Sequence, residues 1–324
     1  MGKSEVFISR SLPEPAFSLL TKAGFNTLTW DRERPMQQDE LISYCQTADA
    51  LLCTAIDKIN AQFLDACPHL KIISTFAVGY DNIDVETAQK KGIRIGHTPG
   101  VLTDATAEIA FGLMIAVARH FFDAHRQIGK GEWKYFVPTK NLGQDLKNKT
   151  LGIFGLGSIG FEMARRCKSV YDMKIIYHNR TNNHDAEEKL DATLVTFVEL
   201  LESSDIISVH ASMNDQTRGI FNLEAFKKMK KSSLFVNTAR GGLHNEPDLI
   251  EALKEGEIWG AGLDVTNPEP MHPDNPLLHM PRVLVLPHIG SSTEFARSEM
   301  SRIAAQNIIR YFQVGELVHE VLPH

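Results

Sequence analysis

The sequence predicts an α/β chain of two Rossmann-like or flavodoxin-like parallel-sheet domains with a cleft between them. Three observations carry this. Short apolar runs alternate with helical stretches in units of about 20 to 30 residues, the pattern of parallel strands joined by crossover helices. One unit carries Gly155-Leu156-Gly157-Ser158-Ile159-Gly160 between a strand-like run from Thr150 and an amphipathic stretch towards Lys168. Finally, 324 residues are more than one small core needs and fit two domains.

Composition narrows the function classes. Hydrophobic content of 43% and charged content of 23% are those of a globular chain. The net charge of −6 argues against nucleic acid or an anionic membrane surface as a partner. No uninterrupted apolar span reaches membrane-crossing length. The run Val6-Phe7-Ile8 is too short for a signal peptide, and Val6 stands where a myristoylation signal after Gly2 needs Ser or Thr. Cys45, Cys53, Cys67 and Cys167 form no Cys-x-x-Cys pair, so we expect free thiols, no metal site and a cytoplasmic location.

Taken in order, Val6–Ile8 reads as a strand, and Pro13 opens a helix that Gly24 ends. Strands follow at 25–30, 50–53, 71–74 and 93–95, with helices at 41–45, 59–66 and 85–90. Thr98-Pro99-Gly100 marks a break. Thr103 or Asp104 then caps a long helix, apolar nearly all round, running to about Phe122, and such a helix is buried within the chain or against a second subunit. Residues 129–143 read as irregular. Beyond the glycine-rich unit, strands are expected at 174–177, 205–209, 233–236, 260–265 and 283–286. Helices are expected within 194–202 and at 223–229, 247–256 and 293–312.

The glycine spacing has a physical meaning in this context. Gly155 allows the tight turn, Gly157 lets the backbone approach a pyrophosphate, and Gly160 lets helix pack on strand. The helix N-terminus offers free N–H groups to the anion. At or just past the ends of expected strands lie Arg180, His210, Arg240, Asp264, Glu269 and His288. Ligands of open parallel sheets bind beyond those ends. Arg240 can hold a carboxylate through paired N–H···O bonds, His288 can move a proton near neutral pH, and Glu269 can keep that proton ready. Together these suit reversible reduction of a 2-keto acid by a nicotinamide.

The chain resembles the NAD(P)-dependent D-isomer-specific 2-hydroxyacid dehydrogenases. The resemblance rests on the glycine-rich run, Asn237-Thr238-Ala239-Arg240-Gly241, Gly262-Leu263-Asp264-Val265, Glu269-Pro270 and Pro287-His288-Ile289-Gly290. Upstream, Val78-Gly79-Tyr80-Asp81-Asn82-Ile83 and Thr103-Asp104-Ala105-Thr106-Ala107-Glu108 match too. The resemblance implies catalytic roles for Arg240, Glu269 and His288. Val78 and Gly79 would bind substrate through backbone N–H groups. Asp264 would hold the nicotinamide carboxamide, with Thr106, Ser158, Ile159, Ser212 and Thr238 among the cofactor contacts. It further implies a substrate-binding domain of residues 1–98 and 289–324, a cofactor domain of residues 99–288, and a homodimer through the helix after Thr103. Within the family the chain is most similar to glyoxylate/hydroxypyruvate reductases, although Tyr135 and Phe136 stand where those often carry a second Trp after Trp133. A 2-ketogluconate reductase, a D-3-phosphoglycerate dehydrogenase and a dinucleotide-sensing corepressor share the fold and stay open.

The strand at 174–177 should decide the nicotinamide. An acid at its end bonds the ribose hydroxyls and repels a 2′-phosphate. The run here is His178-Asn179-Arg180-Thr181, with no acid before Asp185. Asn179, Arg180, Thr181 and His210 are therefore expected at the cofactor, with NADP(H) preferred and NAD(H) possible.

Overall fold

The computed structural model describes residues 4–322. Gly2, on which the myristoylation reading rests, lies outside them. The chain divides into two units, one made of the residues up to Leu102 with those from Ser292, the other of Thr103–Ser291.

In the first unit β1 (Glu5–Ile8), α1 (Ala16–Lys22), β2 (Asn26–Thr29), α2 (Gln38–Cys45), β3 (Ala50–Cys53), α3 (Ala61–Ala66), β4 (Ile72–Thr75), α4 (Val85–Lys90) and β5 (Arg94–Gly96) follow one another. Every strand pair is parallel, in the order β2-β1-β3-β4-β5. β3 and β4 are buried at every residue; β3 therefore reads as an unbroken apolar run, while β4 ends on the buried Ser74 and Thr75. The helix expected from Pro13 begins instead at Ala16. Pro15 disfavours the helical region for Glu14, so Glu14 and Pro15 form a turn and the helix does not extend back through them. α2 starts three residues before Leu41, where the Gln37 N–H donates to Glu40 Oε2 at 2.9 Å.

The second unit begins with α5 (Thr103–Ala118) and α6 (Phe121–Gly129). One helix to Phe122 was expected; two form, bent by 61°. His120 takes a left-handed φ of 56°, and the Ala118 carbonyl accepts the N–H of Gln144 at 2.9 Å. That distant donor takes the carbonyl that the next helical turn would have used. Then come β6 (Thr150–Phe154), α7 (Ser158–Tyr171), β7 (Lys174–His178), α8 (His184–Leu190), β8 (Thr193–Leu194), α9 (Phe197–Ser203), β9 (Ile206–Val209), α10 (Leu223–Lys228), β10 (Leu234–Asn237), α11 (Glu246–Glu255), β11 (Gly260–Leu263) and β12 (Val283–Val285). The parallel sheet runs β12-β11-β10-β9-β6-β7-β8. α8 escaped the sequence reading because only Ala186 and Leu190 are buried in it, and its start is set by the Asn183 side chain accepting the Ala186 N–H at 3.1 Å.

α5 lies on β11. A Cβ at Gly260 would stand 2.9 Å from Val117 Cγ1, and one at Gly262 2.9 Å from Leu113 Cβ. Two missing side chains let the helix approach, so most of its apolar surface is buried inside its own unit. No single helix among the described residues is long and apolar enough to cross a membrane.

The last element, α12 (Glu294–Val314), belongs to the first unit. Ala304, Ala305 and Ile308 join Val6, Ile8, Leu20 and Ile72 in one core, and Ser74 Oγ donates to the Ala304 carbonyl at 2.9 Å. All four cysteines are free and buried, and burial pushes their thiols up.

A Cβ at Gly260 would also sit 2.4 Å from the Arg282 carbonyl oxygen, a backbone atom that cannot rotate away. Gly260→Ala is therefore expected to destabilise the protein by about 1–3 kcal/mol. The urea midpoint reads this, and an unchanged midpoint would mean that β11 and β12 can part without loss.

Candidate active site

All strands of the seven-stranded sheet are parallel, so their carboxyl ends share one edge, and the strand order reverses between β6 and β9. At that reversal Gly155 has φ +93°, and a Cβ there would stand 2.4 Å from the Ala211 N. Only glycine passes β9 so closely in that conformation. A Cβ at Gly160 would meet the Gly155 carbonyl oxygen at 2.7 Å, whereas Gly157 faces open space. Gly157 is the N-cap of α7 and supplies no capping side chain, so the first N–H groups of the helix are left for a ligand. An open cavity of about 510 Å³ adjoins the turn, lined by Gly157, Ser158, Asn183 and Asp185 among others. An uncapped helix start behind a turn that excludes Cβ atoms fits the pyrophosphate of a dinucleotide.

The neighbouring loops are held by side-chain amides. Asn179 Oδ1 accepts the Leu156 N–H at 2.7 Å and its Nδ2 donates to the Leu156 carbonyl at 3.3 Å. Asn183 Nδ2 donates to that same carbonyl at 2.9 Å. Asn179, placed at the cofactor by the sequence, thus directs its amide to the backbone of the glycine-rich turn. Arg180 and Thr181 beside it are exposed. Asp185 is paired with Lys189 at 2.6 Å.

Past β9, His210 Nε2 lies 2.8 Å from Ser208 Oγ and its Nδ1 lies 3.5 Å from Thr238 Oγ1. Desolvation pushes this histidine down to about 3, so it is neutral and ties β9 to the end of β10. Ser212 is exposed, its carbonyl accepting the Thr217 hydroxyl at 2.9 Å. Past β10, Arg240 is half-buried and Nη1 donates to the Ala239 carbonyl at 2.8 Å.

Asp264, past β11, is 1% exposed. Its Oδ1 accepts the Ile289 N–H at 2.8 Å and its Oδ2 the Gly290 N–H at 2.7 Å. Burial raises its pKa, the two N–H groups opposing that rise only in part. Thr106 Oγ1 donates to the Gly290 carbonyl at 3.2 Å. Between β12 and these anchors His288 takes a left-handed φ of 54°, a conformation that needs surrounding contacts to persist. In that pose His288 Nδ1 lies 2.8 Å from Glu269 Oε1. The loop carrying Glu269 is tied by Thr266 Oγ1, which donates to the Pro268 carbonyl at 2.8 Å.

The remaining expected site residues, Val78 and Gly79, follow β4 in the first unit, where the Val78 carbonyl lies 3.0 Å from His97 Nδ1. Sequence reasoning missed Asn237, Thr266 and His244, which hold these loops. Their signal was weak, since a polar residue within a few positions of a strand end has no periodicity to mark it.

The model of the D-isomer specific 2-hydroxyacid dehydrogenase NAD binding domain matches residues 111–290. The chain belongs to this family. It is 42% identical over 319 residues to the glyoxylate reductase of Thermofilum pendens, covering 98% of this chain and 94% of that one. Among solved structures, the TT0316 protein from Thermus thermophilus superposes with a TM-score of 0.91 at 36% identity, over 98% of this chain and all (100%) of that one. The NADPH-dependent glyoxylate/hydroxypyruvate reductase from Sinorhizobium meliloti, in complex with NADP and malonate, gives a TM-score of 0.87 at 30% identity, over 99% and 97%. As a family member, the chain carries its nicotinamide dinucleotide in the second unit, which holds the matched residues.

This geometry sets two expectations for stability. Asp264→Asn sets an amide NH₂ against an N–H of Ile289 or Gly290, and the loss is expected to be about 1–3 kcal/mol in urea denaturation. An unmoved midpoint would show that the carboxylate does not hold the loop. His244, 2% exposed, is pushed by desolvation from 6.5 down to about 4. It takes up a proton on unfolding below pH 6.5, so stability present above that pH is lost as pH falls towards 4. Between pH 7 and 5 the loss is about 2 kcal/mol, and the urea midpoint of His244→Leu should fall less over that range than that of the wild type.

Proposed function

We propose that this chain reduces small 2-keto acids, glyoxylate and hydroxypyruvate foremost, to D-2-hydroxy acids with NADPH. The observation that carries the reading is the pair of His288 Nδ1 and Glu269 Oε1, 2.8 Å apart, on the sheet edge that also bears Arg240. The relative from Thermofilum pendens is named for glyoxylate reduction, and the structure from Sinorhizobium meliloti for NADPH-dependent reduction of glyoxylate and hydroxypyruvate.

In this reading the 155–160 turn and the start of α7 hold the pyrophosphate, with Thr106, Ser212, Thr238 and Asp264 around the rest of the dinucleotide. Reduced nicotinamide supplies a hydride when bound. Arg240 holds the substrate carboxylate by paired charge-assisted hydrogen bonds and turns the keto carbon into line. With Nδ1 directed at Glu269, His288 presents Nε2 to the substrate. It delivers a proton to the keto oxygen as the carbon gains the hydride, and the Glu269 carboxylate balances the imidazolium before transfer. In the reverse direction His288 takes the hydroxyl proton. Arg180, exposed at the end of β7, pairs with a 2′-phosphate, and no acid before Asp185 repels one.

A second copy of the chain is assigned, as expected, to the helix after Thr103, extended by the segment that follows α5. Phe121, Ile128, Trp133, Tyr135 and Phe136 there are each more than half exposed, from 58% to 81%. Such a concentration of apolar surface suits a homodimer. The four buried free cysteines suit a cytoplasmic protein.

Steady-state kinetics with glyoxylate tests the reading. His288→Ala should lower kcat by about 10²–10⁴-fold, and Arg240→Ala should raise KM for the keto acid. Arg180→Asp should move the preference from NADPH to NADH. No turnover in the wild type, or full turnover in His288→Ala, would overturn the activity; wild-type preference for NADH would overturn the cofactor assignment alone.

A further inference from the structure

One side-chain amide ties the turn that carries Arg240, whose carbonyl also accepts the Leu243 N–H at 3.2 Å. Asn237, fully buried at the end of β10, accepts the Ala239 N–H on Oδ1 at 3.0 Å and donates from Nδ2 to the Arg240 carbonyl at 2.9 Å. Both partners are backbone groups of fixed polarity, so the orientation of the amide is settled. The second hydrogen of Nδ2 then points at His244 Nδ1, 3.1 Å away.

This settles the tautomer of His244. Nδ1 faces a donor and must be an acceptor, so the ring proton is on Nε2. Nε2 is buried and has no hydrogen-bond partner among the described residues. The ring meets Phe235 edge-on, centroids 5.9 Å apart. An apolar side chain of similar size would leave no such donor unpaired. What the imidazole offers that an apolar group does not is the Nδ1 lone pair. Desolvation keeps the ring neutral, so that lone pair stays available.

We infer that His244 is a positioning residue for substrate binding, its Nδ1 locking the Asn237 amide that fixes the backbone at Arg240. Without that acceptor, Asn237 keeps one hydrogen buried and unpaired, and its amide can swing away from the Arg240 carbonyl. The guanidinium then samples several poses instead of one. The rest of the turn is anchored independently: the Gly242 carbonyl accepts the Gly219 N–H at 2.8 Å, and the Leu243 carbonyl accepts the Phe221 N–H at 3.2 Å. The loss should therefore fall on Arg240 rather than on the fold. The inference rests on the proposed role of Arg240 as carboxylate anchor.

Three variants separate an acceptor from mere bulk. In His244→Asn the side-chain oxygen can stand where Nδ1 stood; in His244→Gln it lies one bond further out, and in His244→Leu it is absent. With NADPH and glyoxylate, the Asn variant should keep KM near the wild-type value. The Gln and Leu variants should raise KM about five- to tenfold, the equivalent of one lost hydrogen bond, with kcat falling less. Equal KM in all four proteins, or an Asn variant as impaired as Gln, would overturn the inference. Should the Leu variant fail to fold, the comparison of Asn with Gln decides. If Arg240→Ala leaves KM unchanged, it is the anchor role that fails. Nitrogen NMR of the wild-type ring then judges His244 on its own: a proton on Nδ1 near neutral pH would overturn its link to Asn237.

Discussion

The grip of Asp264 on two consecutive backbone N–H groups is the interaction on which the site depends. A carboxylate that is 1% exposed is held in place only if its oxygens are satisfied, and here Ile289 and Gly290 satisfy one each. The contact fixes the chain just past His288, and Thr106 adds a second hold through the Gly290 carbonyl. His288 is thereby kept in a left-handed conformation that would otherwise relax, and its Nδ1 stays within 2.8 Å of Glu269. The strain at His288 and the burial of Asp264 are two sides of one arrangement: a stiff acceptor sets the backbone, and the backbone aims the imidazole.

The same device recurs along the sheet edge with neutral groups. Asn179 holds Leu156 in the glycine-rich turn, Asn237 holds Ala239 and Arg240, and neutral His210 joins Ser208 to Thr238. Loops beyond a parallel sheet have no ladder to complete their hydrogen bonds, so buried side chains complete them. Beside Asp264, preorganisation at this edge comes from amides that hold backbone groups and from uncharged imidazoles that hold other side chains, neither adding charge where a dinucleotide and an acid must both fit.

Packing beneath the edge follows a different rule. Gly260 and Gly262 remove side chains from β11 just where Val117 and Leu113 of α5 arrive. The unusual apolarity of α5 therefore has a use inside its own unit. The exposed apolar surface lies further on, in the segment from Phe121 to Phe136.

Much of the fold was legible because it is written in local pattern. β3, β4, β9 and β10 are buried at every residue and read as short, mainly apolar runs, and α4 was read with the bounds it has. The order of the site residues was legible too, since Arg240, Asp264 and His288 each follow a strand and parallel strands share an edge. What the sequence could not determine was which partner each polar group takes. Nothing near Ala118 announces that the N–H of Gln144 will end its helix, and nothing near Asn179 says that its amide will turn to Leu156. Nor does the spacing of Asp264 from Ile289 and Gly290 show that its oxygens meet their N–H groups. Periodicity and turn chemistry act between neighbours along the chain and so can be read from it. The partners that Asp264, Asn179 and the Ala118 carbonyl take come from more than twenty residues away, and only the tertiary structure decides which of them arrives.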